Sequence, residues 1–382
     1  MRRPLLLASL LSPFSIGAQQ PAAWHAAVER FDRFVHEDSV VGGALVRVDG
    51  GTLTEHYVGS GDRGDSGRAG RSGMQTFWHW GSITKTLTAV AVMRLVEEGR
   101  VALDQPATHF IPELRRIHNP HGSMDAVTIR MLLAHTSGLQ AGTWPWTRGE
   151  PWEPFEPAEW SQLVAMMPYM RLGFEPGSRY GYSNPAFVYL ARIIESVTGD
   201  AWQAYVHKQL LLPLQLHETY FGTTPWPFAR VRSHNYTVTQ GGVVDHGPDF
   251  DPGITIPNGG WNARVGDIAG WLQFLMGSEE PETRAYLARL LPQRTIASMW
   301  QPVVRVSDDE EMGLSFFLRT EGGRRLVGHT GTQANFRSFF WMDPAAGMAV
   351  IGVVNTSNAV DPAASAGGWQ EVMAAARAVL AR

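Results

Sequence analysis

The chain of 382 residues has no cysteine. A disulfide framework, a thiolate metal site and a lipid-anchoring thiol are therefore excluded. Lysine is almost missing as well: of 32 basic residues only Lys85 and Lys208 are lysines, and the rest are arginines. There is no basic block beyond the N-terminus and the net charge is -4, so nucleic acid is not an expected partner. No apolar run reaches the ~20 residues that a membrane helix needs. Gly-x-Ser-x-Gly, the nucleophile elbow of α/β-hydrolases, does not occur, and neither does the zinc-binding His-Glu-x-x-His. His118-Asn119-Pro120-His121 comes nearest to a metal pair, but its proline opposes a helical ligand arrangement. What is present suits an ordinary globular core: 44% hydrophobic, 10% aromatic and 18% charged residues.

The first residues read as an export signal. Arg2 and Arg3 precede the short apolar stretch Leu5 to Ile16, which contains Pro13 and serines, and Ala18 ends it before Gln19. A signal peptide over 1–18 is expected, with a mature chain over 19–382 in the periplasm or outside the cell. Losing Arg2 and Arg3 would take the net charge from -4 to -6.

Strand and helix signals divide the remainder. A helical lead (Trp24 to Val35) is followed by strand patterns at Gly43 to Val48 and Thr52 to Val58, with a hairpin signal at Asp49-Gly50-Gly51. Gly59 to Gly73 reads as a flexible loop; its Arg63-Gly64-Asp65 is ordinary loop composition. From about 83 to 290 the pattern is mostly helical. Ile83, Leu87, Val90, Ala91 and Leu95 recur at helical spacing, and Gly99 stops the helix. Strand patterns return at Leu314 to Leu318, Leu326 to Thr330, Phe336 to Met342 and Met348 to Val354, and a last helix covers about 366–381. The expected fold is α+β: an antiparallel sheet built from both chain ends, flanked by helices, with a large, mostly helical insertion. The sheet part would cover about 24–82 and 300–382, and the helical part about 83–299.

Three places carry chemistry. Arginine does not release its proton in a protein, whereas a buried lysine can, so the ammonium retained at Lys85 stands out. Ser82 lies three residues earlier, and residues i and i+3 share a helix face, so hydroxyl and amine can touch. To be neutral near pH 7, a lysine ordinarily at ~10.4 needs ~4 kcal/mol of differential stabilisation, which burial can supply. The bland reading makes Ser82 a helix N-cap and Lys85 a surface residue. The second place is Tyr182-Ser183-Asn184, after the turn Glu175 to Ser178 and before Pro185. It offers a phenol and an amide from a helix start, or simply an Asn184 cap and a packed tyrosine. The third is His329-Thr330-Gly331-Thr332, at the end of one late strand and before the next. A glycine there lets an acyl chain lie beside the strand, and the Thr332 N–H can join an oxyanion hole; the bland reading is a hairpin turn.

In order and separation, Ser-x-x-Lys, Tyr-x-Asn and His-Thr-Gly resemble the motifs of the serine β-lactamase and penicillin-binding-protein superfamily. The likeness is to its branch of class C β-lactamases, D-aminopeptidases, D,D-carboxypeptidases and family VIII esterases. Thr76 to Gly81, His135-Thr136-Ser137-Gly138-Leu139, Asn258-Gly259-Gly260, Asp267 and Trp271 extend the resemblance over about 40–357. It implies an exported serine hydrolase without a cofactor, forming an acyl-enzyme on an ester or amide. β-lactam, D-amino-acid peptide and carboxylic ester all remain open as small-molecule or peptide substrates. It further implies that Ser82 attacks, Lys85 takes its proton and Tyr182 relays protons. Asn184 would hold Lys85 and a substrate amide, the N–H groups of Ser82 and Thr332 would form the oxyanion hole, and His135 would be structural.

One departure bears on the substrate. Many members carry lysine where this chain has His329, and a neutral imidazole attracts a carboxylate far less than an ammonium does. A substrate without an obligatory carboxylate is favoured. The Trp-rich segment Gly142 to Trp160 could wall the acyl pocket or pack on itself. A non-enzymatic reading also stands, a sensor that is acylated and never turns over.

Overall fold

The computed structural model describes residues 22–65, 67, 70–139 and 157–381. The expected signal peptide lies outside them. The chain opens with α1 (Ala22–Glu37) and the hairpin β1 (Gly42–Asp49) and β2 (Thr52–Gly59), turned by Gly50 at φ 58. β3 (Trp78–His79) leads to α2 (Thr84–Glu97), then α3 (Ile129–Leu133), α4 (Trp160–Met166), α5 (Asn184–Thr198) and α6 (Trp202–Val206). β4 (Thr219–Phe221), β5 (Tyr236–Thr239), β6 (Gly242–Asp245), α7 (Ile256–Gly259) and β7 (Trp261–Ala263) precede α8 (Val265–Met276), α9 (Pro281–Leu290) and α10 (Gln293–Met299). The late strands are β8 (Val304–Arg305), β9 (Glu310–Met312), β10 (Phe317–Glu321), β11 (Arg324–Gln333), β12 (Phe336–Asp343), β13 (Met348–Val354) and β14 (Thr356–Asn358), followed by α11 (Pro362–Arg377).

Both chain ends build one antiparallel sheet of eight strands, in the order β2-β1-β13-β12-β11-β10-β9-β8. The fold is thus the expected α+β arrangement, with one antiparallel sheet built from both chain ends. Strand alternation explains its two cores. Phe339 and Trp341 of β12 pack with Trp24, Phe34 and Trp369 of α1 and α11. Phe340 and Met342 point the other way, into the cluster holding α2, α5 and α8.

The structure departs from the sequence pattern in three ways. α2 is buried on nearly every side, because α5 and α7 pack against it, whereas the spacing suggested an amphipathic helix. Its threonines are satisfied internally: Thr86 Oγ1 donates to the Ile83 carbonyl at 2.8 Å and Thr88 Oγ1 to that of Pro257 at 2.6 Å. The middle region supplies β4 to β7 to two small sheets, β3-β7-β4 and β14-β5-β6, whose strands are too short to show a period. The strand expected at Leu314 starts at Phe317, because Ser315 sits in the left-handed region at φ 69.

Candidate active site

The small β3-β7-β4 sheet delivers Ser82. β3 runs along β7, with Trp78 opposite Ala263 and His79 opposite Asn262, and the Trp80 N–H donates to the Trp261 carbonyl at 2.9 Å. Gly81 turns at φ 52 and α2 begins at Thr84. Ser82 lies in that turn, partly exposed between buried Gly81 and Ile83. It does not cap the helix; Ile83 occupies the cap position without a side-chain bond.

One turn on, Lys85 is wholly buried. Its Nζ lies 2.9 Å from Ser82 Oγ and 2.8 Å from the carbonyl oxygen of Asn258. The rings of Tyr182 and Phe187 cover it, with centroids 4.9 and 5.6 Å away. No carboxylate among the described residues offsets its charge, and burial holds its pKa well below the usual lysine range. With an N–H committed to Asn258, the neutral amine can turn its lone pair to the Ser82 hydroxyl. Tyr182 reaches the same Ser82 side chain, and burial raises its pKa above the usual phenol range, so it stays protonated.

Asn258 was legible only as part of a motif; its role here belongs to a backbone atom that no side-chain pattern reveals. The segment is pinned to α2: Trp261 N–H donates to Thr84 Oγ1 at 3.0 Å, and Gly81 bridges Gly260. Asn184, expected to hold Lys85, does not accept from its Nζ. Ser183 caps α5, accepting from the Ala186 N–H at 3.2 Å, which places Asn184 at the first helical position. Asn184 Oδ1 is buried without a partner among the described residues, and Lys85 uses the Asn258 carbonyl instead.

The third motif lies at the end of β11, one residue short of its last position and just before β12, with Thr330 opposite Phe339, Gly331 opposite Ser338 and Thr332 opposite Arg337. A Cβ on Gly331 would overlap the Trp80 carbonyl oxygen and Ser338 Oγ. That pair is itself hydrogen-bonded at 2.9 Å. A side chain at 331 is therefore excluded by the close approach of the Trp80 backbone. The Thr332 nitrogen stands 3.0 Å from where a Cβ of Gly81 would be, so its amide lies beside the turn that carries Ser82.

His329 is buried on the same strand. Its Nδ1–H donates to the Thr330 carbonyl at 2.6 Å and its ring packs on Phe317. Burial, and then the Lys85 charge, push its pKa down to about 3. Mild acid does not make it a cation. His135 arrives at the cluster too, its ring against Tyr182. Of the Trp-rich segment, Trp144, Trp146 and Trp152 lie outside the described residues; Trp160 opens α4 and meets Tyr189 edge-on.

The Beta-lactamase family model matches residues 27–372. The chain belongs to the beta-lactamase family. Esterase EstB of Burkholderia gladioli is 35% identical over 232 residues, which are 56% of this chain and 56% of that protein. A D-stereospecific amidohydrolase from Streptomyces sp. matches in structure with TM-score 0.70 and 25% identity, over 92% of this chain and 98% of that one. A class C beta-lactamase shares the fold at TM-score 0.75 and 16% identity, over 96% of this chain and 98% of that one. The chain spans about half the length of the curated relatives it matches.

Proposed function

We propose that this beta-lactamase-family chain is an exported serine hydrolase that forms an acyl-enzyme at Ser82 on an uncharged ester or amide. The observation that carries the reading is the 2.9 Å contact between Ser82 Oγ and the Nζ of a buried lysine with no carboxylate partner among the described residues. Neutral Lys85 takes the hydroxyl proton as Oγ bonds to the substrate carbonyl carbon. Negative charge moves to the carbonyl oxygen, facing the backbone N–H groups of Ser82 and Thr332. When the tetrahedral species collapses, the bond to the leaving group breaks, and a proton from Lys85, relayed by Tyr182, goes to the leaving atom. Water then attacks the acyl carbon and passes a proton through Tyr182 to Lys85; the bond to Ser82 Oγ breaks, Oγ takes that proton from Lys85, and the acid leaves.

Neutral His329 offers no cation for a substrate carboxylate, which favours neutral acyl donors; the esterase and amidohydrolase relatives support an ester or amide as the bond cleaved. The test is a panel of short p-nitrophenyl esters, D-amino-acid amides and a chromogenic cephalosporin, with mass spectrometry of the quenched protein. Turnover with an adduct on Ser82, abolished in Ser82→Ala, is the expected result. An adduct on another serine overturns the mechanism, and a burst without steady turnover makes the chain an acylated sensor. An N-terminus near Gln19 on exported protein tests the signal peptide; intact Met1 refutes it.

A further inference from the structure

His135 holds the residues on both sides of Tyr182. Its backbone carbonyl accepts the Gly181 N–H at 2.8 Å, and its ring Nδ1 accepts the Ser183 N–H at 3.0 Å. Between these two bonds the imidazole stacks on the Tyr182 ring, 4.5 Å between centroids and 25° between planes. Because Nδ1 accepts, the ring is the Nε2–H tautomer. A protonated ring would lose the Ser183 bond. Burial, followed by the nearby Lys85 and His329, opposes that protonation and holds the His135 pKa well below its usual range.

The backbone here has a cost. His135 sits at φ 57, a region that non-glycine residues seldom adopt. The strain is held by its neighbours: Thr136 N–H donates to Met131 at 2.9 Å and Gly177 N–H to Thr136 at 2.7 Å. A glycine or asparagine would accept this backbone more easily, yet neither offers a flat ring for Tyr182. The conformation aims the carbonyl and the ring of one residue at the same loop. The Tyr182 phenol reaches Ser82 from that loop, so its aim depends on where 181 and 183 are fixed.

We propose that His135 is a positioning residue, which sets the Tyr182 phenol on Ser82 by gripping the chain at 181 and 183 and stacking on the ring between. The inference rests on the proposed serine-hydrolase reading, and the experiment separates the two.

The experiment is a double-mutant cycle with His135→Phe and Tyr182→Phe, on an ester that the unmutated protein turns over. His135→Phe keeps a flat ring but has no acceptor for the Ser183 N–H. It should lower kcat roughly 10- to 100-fold, the range expected when a proton-transferring group is misplaced by about 1 Å, with KM little changed. In the Tyr182→Phe background the same change should cost less than about 3-fold, because no phenol is left to position. Equal losses in both backgrounds would overturn the proposal and leave a merely structural histidine. His135→Asn tolerates the left-handed backbone and keeps an acceptor near the Nδ1 position. It should retain more activity than His135→Ala at similar melting temperature, and it carries the cycle if His135→Phe does not fold. Asparagine no better than alanine would count against the Ser183 bond. Absence of any Ser82 adduct in the unmutated protein would strike the hydrolase reading instead, before the cycle is run.

Discussion

Lys85 and Asn258, 173 residues apart, meet through a side-chain nitrogen and a backbone carbonyl oxygen at 2.8 Å. The carbonyl fixes where one N–H points, and the Ser82 hydroxyl lies 2.9 Å away on the same nitrogen. Burial lowers the pKa of the amine well below the usual lysine range, which favours a free lone pair. The geometry calls for an amine that can be neutral, and arginine cannot supply one.

Lys85→Arg should therefore be nearly as inactive as Lys85→Ala, each losing at least ~10³-fold in kcat/KM. Lys208→Arg should be silent, because Lys208 is an exposed partner of Asp200. Steady-state kinetics on one neutral ester decides it. Activity retained in Lys85→Arg would reduce Lys85 to an electrostatic or structural part.

The same buried amine links stability to pH. Its folded-state pKa lies well below the unfolded lysine value, so between the two the unfolded chain binds one more proton than the folded chain. Stability from this group therefore rises with pH up to about 10.4, by at most ~1.4 kcal/mol per pH unit. Lys85→Met lacks that dependence. Melting temperature of the variant minus that of the unmutated protein should fall steadily as pH rises from 7 to 10. A constant difference would mean that Lys85 is charged in the folded protein. Activity has the same sign: kcat/KM should fall as acid protonates Lys85.

Much of this was readable from residue order, and what was not has physical causes. The β1–β2 hairpin, β12 and β13 follow from short, mostly apolar runs bounded by turn residues. Ser82 and Lys85 were placed by helical spacing, which survives although α2 does not begin until Thr84. The Asn258 carbonyl was not visible, because any residue type provides one. Nor was Gly331: the glycine was noticed, but its neighbour Trp80 comes from 251 positions earlier, and only folding brings them together. His135 looked like motif filler, since its grip on Tyr182 uses a left-handed backbone that a histidine does not announce.

Gly331→Ala tests that close approach. Its Cβ would collide with the Trp80 carbonyl oxygen, which is backbone and cannot rotate away. β11 must shift, taking the Thr332 amide from the Ser82 turn. Overpacking of this kind costs about 1–3 kcal/mol, and loss of an oxyanion donor about 10²–10³-fold in kcat. The variant should fold, melt lower and lose kcat more than KM. Near-normal kcat would exclude Thr332 from the oxyanion site.

His329 decides whether this position selects substrate charge. The imidazole is buried, bonded to the Thr330 carbonyl, and held neutral with a pKa of about 3. From pH 5 to 8 its charge does not change, so the preference between neutral and carboxylate-bearing substrates should be flat over that range. Acid cannot imitate a cation here; a substitution can. His329→Lys should raise kcat/KM for substrates with a carboxylate near the scissile bond by roughly 5- to 30-fold, or ~1–2 kcal/mol, relative to neutral esters. If the new ammonium reaches solvent, added salt should shrink the gain. The new charge also stands near Lys85, which already depresses the His329 pKa, so the two ammonium groups would oppose each other. Lys85 should then lose its proton more readily, and the acid limb of kcat/KM should move to lower pH. Measuring both substrate classes at one fixed pH separates selection from this repulsion, because the repulsion acts on each class alike. Equal changes for charged and neutral substrates would mean that residue 329 shapes the strand and leaves charge unread.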